Sequence, residues 1–162
     1  MGVEVEGEGV SSDFAVATSK FTVAAATGNT VVAGTLGVTG GVTSLGAAAS
    51  YTGTLTGGTT SPTAAIYYRK IGDVVTLEIP LFTVTSNATT MTITGMPAAL
   101  FPVVRAKPFI CTIENNGAGA TIAVGQVEPA GTISIFKDVA GGAFTNSGVK
   151  GIFAISFSYT IN

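Results

Sequence analysis

The chain has 162 residues, no histidine, a single cysteine and a formal net charge of −2 from seven basic and nine acidic side chains. The lack of histidine excludes Ser-His-Asp and Cys-His catalytic centres, one cysteine cannot build a zinc site, and scattered basic residues argue against a nucleic-acid partner. Charged residues make up only 10% of the chain, against roughly 25% in ordinary globular proteins, which indicates that much of the surface is buried between chains.

The first 20 residues form an acidic lead. Its acidic side chains are Glu4, Glu6, Glu8 and Asp13; the glutamates recur at every second position, and Val3 and Val5 share this period. A period of two suits a strand that adds to another sheet. Two interpretations stay open for residues 1–20: a solvated terminus, or an N-terminal anchor segment that docks on a larger assembly.

Residues 21–64 are predicted to form a β shaft and neck. No charged side chain occurs between Phe21 and Tyr68, and the segment is almost entirely Gly, Ala, Thr, Val and Ser. Short extended phrases such as Gly34-Thr-Leu-Gly-Val-Thr-Gly40 are separated by glycines, which let backbones approach closely. Because such phrases bury their faces only against neighbours, the pattern predicts an interwoven shaft, similar to a β-prism or a solenoid.

Contacts between chains in this shaft are predicted at Leu36, Val38, Val42 and Leu45. A flexible Gly/Ser/Thr linker would have a similar composition, but a linker has no need of recurrent valine and leucine. The neck is predicted at Tyr51–Pro62, where glycines precede a Ser-Pro pair.

The composition changes in residues 65–162, where charges and aromatic residues return and apolar runs lengthen. Turn signals such as Gly72-Asp73 and Asn115-Asn116-Gly117 separate these runs, and no helical periodicity occurs. The pattern predicts an all-β fold whose C-terminal part is an antiparallel, jelly-roll-like β-sandwich head. Strands are predicted at Ile66–Lys70, Val74–Pro80, Thr90–Thr94, Phe109–Glu114, Thr121–Glu128, Thr132–Lys137 and Gly151–Ile161, with a further short strand near Leu81–Val84.

The last predicted strand has two unlike faces. By alternation, one face carries the large apolar side chains Phe153, Ile155, Phe157, Tyr159 and Ile161. The other face carries mostly small or polar residues, together with Ile152. This division predicts a central strand that lies in the core of the head or lines a threefold interface.

Cys111 lies in the apolar run Phe109–Ile113, so we predict a buried small hydrophobe rather than a nucleophile. A chain without disulfides suits assembly in a reducing cytoplasm. Met1–Glu4 lacks the basic start and apolar stretch of a signal peptide. The long uncharged region is too rich in Gly, Thr and Ser for membrane insertion.

Two stretches resemble known fibre proteins. Residues Phe21–Gly40, FTVAAATGNTVVAGTLGVTG, are similar to the shaft phrases of bacteriophage tail fibres and related virion fibre proteins. Residues Ile66–Pro97, with the hairpin YYRKIGDVVTL and the corner GMP, resemble the small β-sandwich heads at the ends of such proteins. The resemblance implies a homotrimer located in the virion and anchored to other virion proteins through its N-terminal segment. It leaves open whether the fibre stands on the tail or on the capsid.

We therefore expect a non-enzymatic virion fibre whose head either attaches to a host cell-surface glycan or protein or serves only as structure. Recognition loops are predicted at Asn115–Ala118, Ala140–Asn146 and Ser86–Thr89. The receptor-facing residues are predicted to be Asn115, Asn116, Phe144 and Asn146. Ordinary Gly/Asn turns would explain these loops as well, and Phe144 would also suit a plug in the core.

Tyr67 and Tyr68 adjoin Arg69 and Lys70 where the neck meets the head. Alternation places one of the two tyrosines outward and the other inward. From the sequence alone, this arrangement is expected to favour packing between subunits over the stacking of a sugar.

Two other functions stay open. A lectin-like receptor-binding adhesin would use the same loops, whereas a polysaccharide depolymerase would need a pair of carboxylates. The candidate carboxylates are Asp73, Glu78, Glu114, Glu128 and Asp138. Asp73 suits a hairpin turn and Glu78 a solvent face, so we expect no enzyme, and no cofactor or metal site is expected either.

Overall fold

The computed structural model describes residues 47–162, which we call the head. The predicted anchor segment of residues 1–20 and most of the predicted shaft lie outside the described residues. The predicted interchain contacts, also outside, are Leu36, Val38, Val42 and Leu45. All of these stay predictions.

The head consists of ten β-strands, and within residues 47–162 the only helical element is a short 3-10 turn, Ala98–Leu100. The all-β fold is therefore confirmed for this part. The short strand predicted near Leu81–Val84 is present as Phe82–Thr85. The strands are β1 Ala49–Thr56, β2 Thr63–Ile71, β3 Val74–Ile79, β4 Phe82–Thr85, β5 Met91–Thr94, β6 Lys107–Asn115, β7 Ala118–Val127, β8 Ile133–Ile135, β9 Val149–Ile152 and β10 Ile155–Thr160.

All strand pairs are antiparallel, in the order β10-β3-β2-β1-β5-β8-β7-β6-β9-β4. Two of the predicted turns join neighbours directly: Gly72-Asp73 links β2 to β3, and Asn116-Gly117 links β6 to β7. Antiparallel neighbours need only such short links. The order therefore follows from local hairpins together with longer links at β4–β5, β5–β6 and β8–β9.

One ladder occurs at both ends of this order. Val74 pairs with Thr160 and Ile79 with Ile155 in β3–β10, and Phe82 pairs with Ile152 in β4–β9. Two residues separate β3 from β4, and two separate β9 from β10. The register is the same before and after these breaks, so β3–β4 and β9–β10 form one long pair. The pair bends at Pro80, which has no N–H to donate. Because β10 and β4 stand at opposite ends of the order, this bend folds the sheet back on itself.

The single strand predicted at Gly151–Ile161 is two strands in the structure. Ile152 is fully buried and Phe153 is 38% exposed, so the prediction that Phe153 shares a face with Ile155, Phe157 and Tyr159 is wrong. At the bend both Phe153 and Ala154 point outward, and the alternation restarts at Ile155. Period-two alternation holds only while a strand stays in one layer.

The predicted neck at Tyr51–Pro62 contains a strand of the head. β1 pairs with β2 on one side and with β5 on the other, and Leu55 is fully buried. Gly53 permits close packing here, because an added Cβ would collide with the Ile66 side chain. The sheet therefore begins upstream of residue 65, at Ala49.

The core lies between the inner faces of the folded sheet. Phe109 of β6 stacks on Phe157 of β10, with ring centroids 3.8 Å apart and 12° between the planes, and this pair joins the two halves. Cys111 is buried as predicted, and desolvation raises the pKa of its thiol to about 11, so it stays protonated at neutral pH. Other fully buried residues are Leu55, Ile66, Val75, Leu77, Ile113, Ala123, Val127, Ile133 and Ile152.

We expect Gly125→Ala to destabilise the head by about 1–3 kcal/mol. An alanine Cβ at this position of β7 would collide with the Phe109 ring, which is held by its stacking on Phe157. The matched control is Gly119→Ala in the same strand, where a Cβ meets nothing within 4 Å. Urea unfolding followed by circular dichroism measures the difference, and equal stability of the two variants would contradict this account of the core.

Candidate functional site

The head has two ends, which we call the base and the loop end. At the base the described chain begins beside β2, with Ala49 paired to Tyr68. The Ile161 N–H also lies there and donates to the Asp73 carbonyl at 2.9 Å. The loop end carries the links between β1 and β2, β4 and β5, β6 and β7, and β8 and β9. The chain therefore enters the head at the end opposite to these links.

The recognition loops predicted from the sequence meet at the loop end. The Asn115 amide oxygen accepts hydrogen bonds from the Thr145 N–H and hydroxyl, both at 3.0 Å. The Ser86 hydroxyl donates to the Thr145 carbonyl at 2.6 Å. These bonds join the loops of Ser86–Thr89, Asn115–Ala118 and Ala140–Asn146 into one surface. Whether that surface faces a receptor stays a prediction.

The β6–β7 turn is fixed by its backbone. Asn116 and Gly117 have φ of 57° and 71°, the left-handed pair that a two-residue hairpin of type I′ requires. The Gly117 N–H donates to the Val149 carbonyl at 2.9 Å, and the Ser147 hydroxyl lies 3.4 Å from the Asn116 amide oxygen. The β6–β7 turn is therefore bonded to the end of the β8–β9 link and to the start of β9, while the Asn116 residue stays exposed.

A buried lysine holds the neighbouring loop. Lys150 of β9 is fully buried, and its ammonium donates to the carbonyls of Ala88 at 2.8 Å and Thr90 at 2.7 Å. Within residues 47–162 no carboxylate pairs with it, and desolvation lowers the pKa of this amine. No motif in the sequence marks Lys150 as a functional residue, although alternation with Ile152 in β9 places both side chains inward.

Phe144 is buried at 3% exposure, and the Lys150 ammonium lies 5.5 Å from the centre of its ring. The Phe144 N–H donates to the Thr89 carbonyl at 2.9 Å. The side chain therefore occupies the core position that the sequence offered as the alternative, and it does not reach the surface as a receptor-facing residue. The apolar ring is buried because it packs inward against the Lys150 ammonium. Asn146 is exposed in the same loop.

A crevice of about 170 Å³ opens beside these loops. The Asp138 carboxylate shapes one wall by accepting hydrogen bonds from the backbone N–H groups of Ala140 and Gly142, at 3.0 and 2.8 Å. The lining is mostly apolar, with Met91 and Ile135 among its residues and a few hydroxyls beside them, which suits a small uncharged group. Its lining includes Thr90, Thr92, Ser134, Phe136, Gly141 and Ala143.

The carboxylates considered for a depolymerase lie on separate elements. Asp73 and Glu128 are in turns at the base, Glu78 faces solvent on β3, and Glu114 and Asp138 lie towards the loop end. In the described part of the chain, no cluster of three or more His, Cys, Asp or Glu side chains could hold a metal ion. No helix among residues 47–162 is long and apolar enough to cross a membrane.

Comparison with protein-family models finds no match, and neither does comparison with curated protein sequences. Among solved structures, the chain is similar to the reovirus attachment protein sigma1, whose crystal structure contains alpha-2,3-sialyllactose. The identity is 13% and the TM-score 0.45, over 70% of this chain and 64% of that chain. The match thus spans less than two thirds of the reovirus chain, and similarity at this level does not assign a function.

Replacing Lys150 by Met should loosen the loop end. The variant removes two hydrogen bonds, leaves the Thr90 carbonyl without its donor and leaves the Ala88 carbonyl only the Ser86 hydroxyl at 3.0 Å, so we expect a loss of about 1–3 kcal/mol. Amide hydrogen exchange in residues 86–90 should accelerate. The control is Lys70→Met, which loses a surface hydrogen bond to the Ala99 carbonyl and should cost no more than about 0.5 kcal/mol. Unchanged exchange in Lys150→Met would show that the lysine does not hold the loop.

Proposed function

We propose that the chain is a short homotrimeric fibre protein of a bacteriophage virion, without enzymatic activity, whose head attaches to the host cell surface. The observation that carries this proposal is the position of the predicted recognition loops at the end opposite to the one where the chain enters. A head tethered at its base turns such loops outward. The resemblance of Phe21–Gly40 to fibre shafts supports the fibre, and the acidic lead would anchor it to other virion proteins.

An exposed apolar stripe supports the oligomer. Ile110 and Ile122 on the outer face of β6 and β7 are 61% and 64% exposed, and Leu81 and Phe153 at the bend are 55% and 38% exposed. We call these residues the apolar stripe. Exposed apolar patches of this kind mark interaction surfaces.

The stripe is continuous across neighbouring strands. The Phe153 N–H donates to the Thr112 carbonyl at 2.9 Å, and Thr112 pairs with Ile122. Ile110 pairs with the half-buried Val124 in the next row. No charged side chain belongs to the stripe, so a second copy can cover it without desolvating a charge. A chain with few charges gains solubility by hiding this face, which is why we assign it to contacts between subunits.

The first test is the oligomeric state. We expect the full chain to sediment as a trimer, and Ile122→Lys to shift trimer dissociation to concentrations at least about tenfold higher, because each subunit would bury an unpaired ammonium. The control is Val103→Lys, which changes another β-branched apolar side chain, 74% exposed but at the base. A monomeric wild-type chain, or an Ile122→Lys trimer as stable as the control, would contradict the assignment.

The second test concerns attachment. Fluorescently labelled full-length chain should bind to susceptible strains in a panel of bacteria, and Asn146→Arg should abolish the binding, because a long charged side chain would cover the loop end. Ala130→Arg, in an exposed turn at the base, should bind as the wild type does. Equal binding by both variants would remove the loop end from recognition. Binding to no strain would leave the chain a structural component and overturn the attachment function.

A further inference from the structure

The outer face of β1, β2, β3 and β10 carries an exposed tyrosine beside a carboxylate. Tyr67 pairs with Glu78 across β2 and β3, and Glu78 pairs with Ser156 across β3 and β10. On its other side Tyr67 pairs with Ser50 of β1. Tyr67 is 55% exposed. One row of residues across four strands therefore places an aromatic ring between a hydroxyl and a carboxylate, with a second hydroxyl beyond the carboxylate.

Small residues in the neighbouring rows leave open space on both sides of this row. Towards the bend, Ala65, Pro80 and Ala154 leave an open groove of about 400 Å³, which Tyr67, Glu78 and Ser156 also line. We call it the tyrosine groove. Towards the base, a second groove of about 350 Å³ is lined by Ala48, Arg69 and Thr76 together with the same Tyr67 and Glu78. Both volumes fall within the range of small-ligand sites.

The geometry points to a binding site for a neutral oligosaccharide in the tyrosine groove, with one hexopyranose ring on Tyr67. The apolar face of a sugar ring packs against an aromatic ring, and Tyr supplies a large apolar surface with few rotatable bonds. The Glu78 carboxylate accepts hydrogen bonds from two neighbouring hydroxyls of that sugar, and charge-assisted bonds of this kind are the stronger ones. The Ser156 hydroxyl can complete the polar side of the site.

The charges select this class of ligand. Within the described residues, Glu78 is the only charged one that lines the tyrosine groove, so it repels an acidic sugar placed there. A wholly apolar ligand would remove water from the Glu78 carboxylate and would offer no hydrogen-bond donors in place of that water. Among residues 47–162, the Glu78 carboxylate has no ion-pair partner, which leaves its oxygens available to hydroxyl donors.

A second sugar can follow in the groove on the far side of Tyr67. That groove adds the Arg69 guanidinium, which donates hydrogen bonds, and the Thr76 hydroxyl. The Thr76 hydroxyl is hydrogen-bonded to the Ser158 hydroxyl at 2.7 Å. The chain direction of the oligosaccharide would then run along β2 and β3. This site is separate from the loop end, and it stands whether or not the loop end attaches to cells.

Calorimetric titration of the full chain with maltotetraose, cellotetraose and mannotetraose tests the proposal. We expect saturable millimolar or tighter binding of at least one of these probes and weaker binding of tetragalacturonic acid. Tyr67→Ala and Glu78→Gln should each lower the affinity by about tenfold or more. Tyr67→Phe, which keeps the ring, should bind within about threefold of the wild type.

Three results would overturn the proposal. The first is the absence of saturable binding for all of the neutral probes at millimolar concentration. The second is tighter binding of the acidic tetramer than of any neutral one. The third is a changed oligomeric state in Tyr67→Ala, measured by sedimentation, which would show that this face is a contact between copies. Because the ring is largely exposed, Tyr67→Ala should unfold at the wild-type temperature, which separates lost binding from lost fold.

Discussion

The fold of the head depends on one antiparallel ladder that is shared by both ends of the sheet. The pairing of β3 with β10 continues in register as the pairing of β4 with β9, so two short breaks turn a flat sheet into two facing layers. Each terminal strand is then tied to the rest of the head at one point. β10 lies against β6 through the Phe109–Phe157 stack, and β4 is bridged to the β1–β2 link by the Thr59 N–H, which donates to the Thr85 carbonyl at 2.9 Å.

The layers that this ladder creates explain why a lysine is buried at the loop end. The register of β9 places Lys150 opposite Val84 of β4 and Asn115 of β6, so its side chain points inward. An apolar residue at this position would lose less hydration free energy on burial than the lysine does. The Ala88 and Thr90 carbonyls of the β4–β5 loop nevertheless lack a backbone donor among the described loop and turn hydrogen bonds, and the Ser86 hydroxyl reaches only Ala88, at 3.0 Å. The ammonium supplies both bonds, and the Phe144 ring shields it from water. Burial of one charge thus orders a loop that regular pairing leaves unsatisfied.

Local signals made most of the head predictable. Turn residues such as Gly72-Asp73 and runs of β-branched residues depend on a few neighbours, so the strands beyond residue 65 could be placed from the sequence. β1 could not, because its glycine and threonines are typical of a linker and the burial of Leu55 depends on partners elsewhere in the chain. The outward turn of Phe153 depends on the bend, which alternation does not encode. The loops of the candidate site were predictable one by one, but their meeting through Asn115 and Lys150 depends on the closed sheet.

The distribution of charge constrains how such a loop end could bind. Arg69, Lys70, Asp73, Arg105 and Lys107 all lie towards the base, whereas the exposed charges near the loops are mainly those of the 3.8 Å pair Lys137–Asp138. Amides and hydroxyls would therefore make the contacts, without long-range electrostatic steering. Neutral contacts of this kind are individually weak and insensitive to salt. A homotrimer of the proposed kind compensates by presenting three loop ends together, since a second and third contact form at high effective concentration once the first is made.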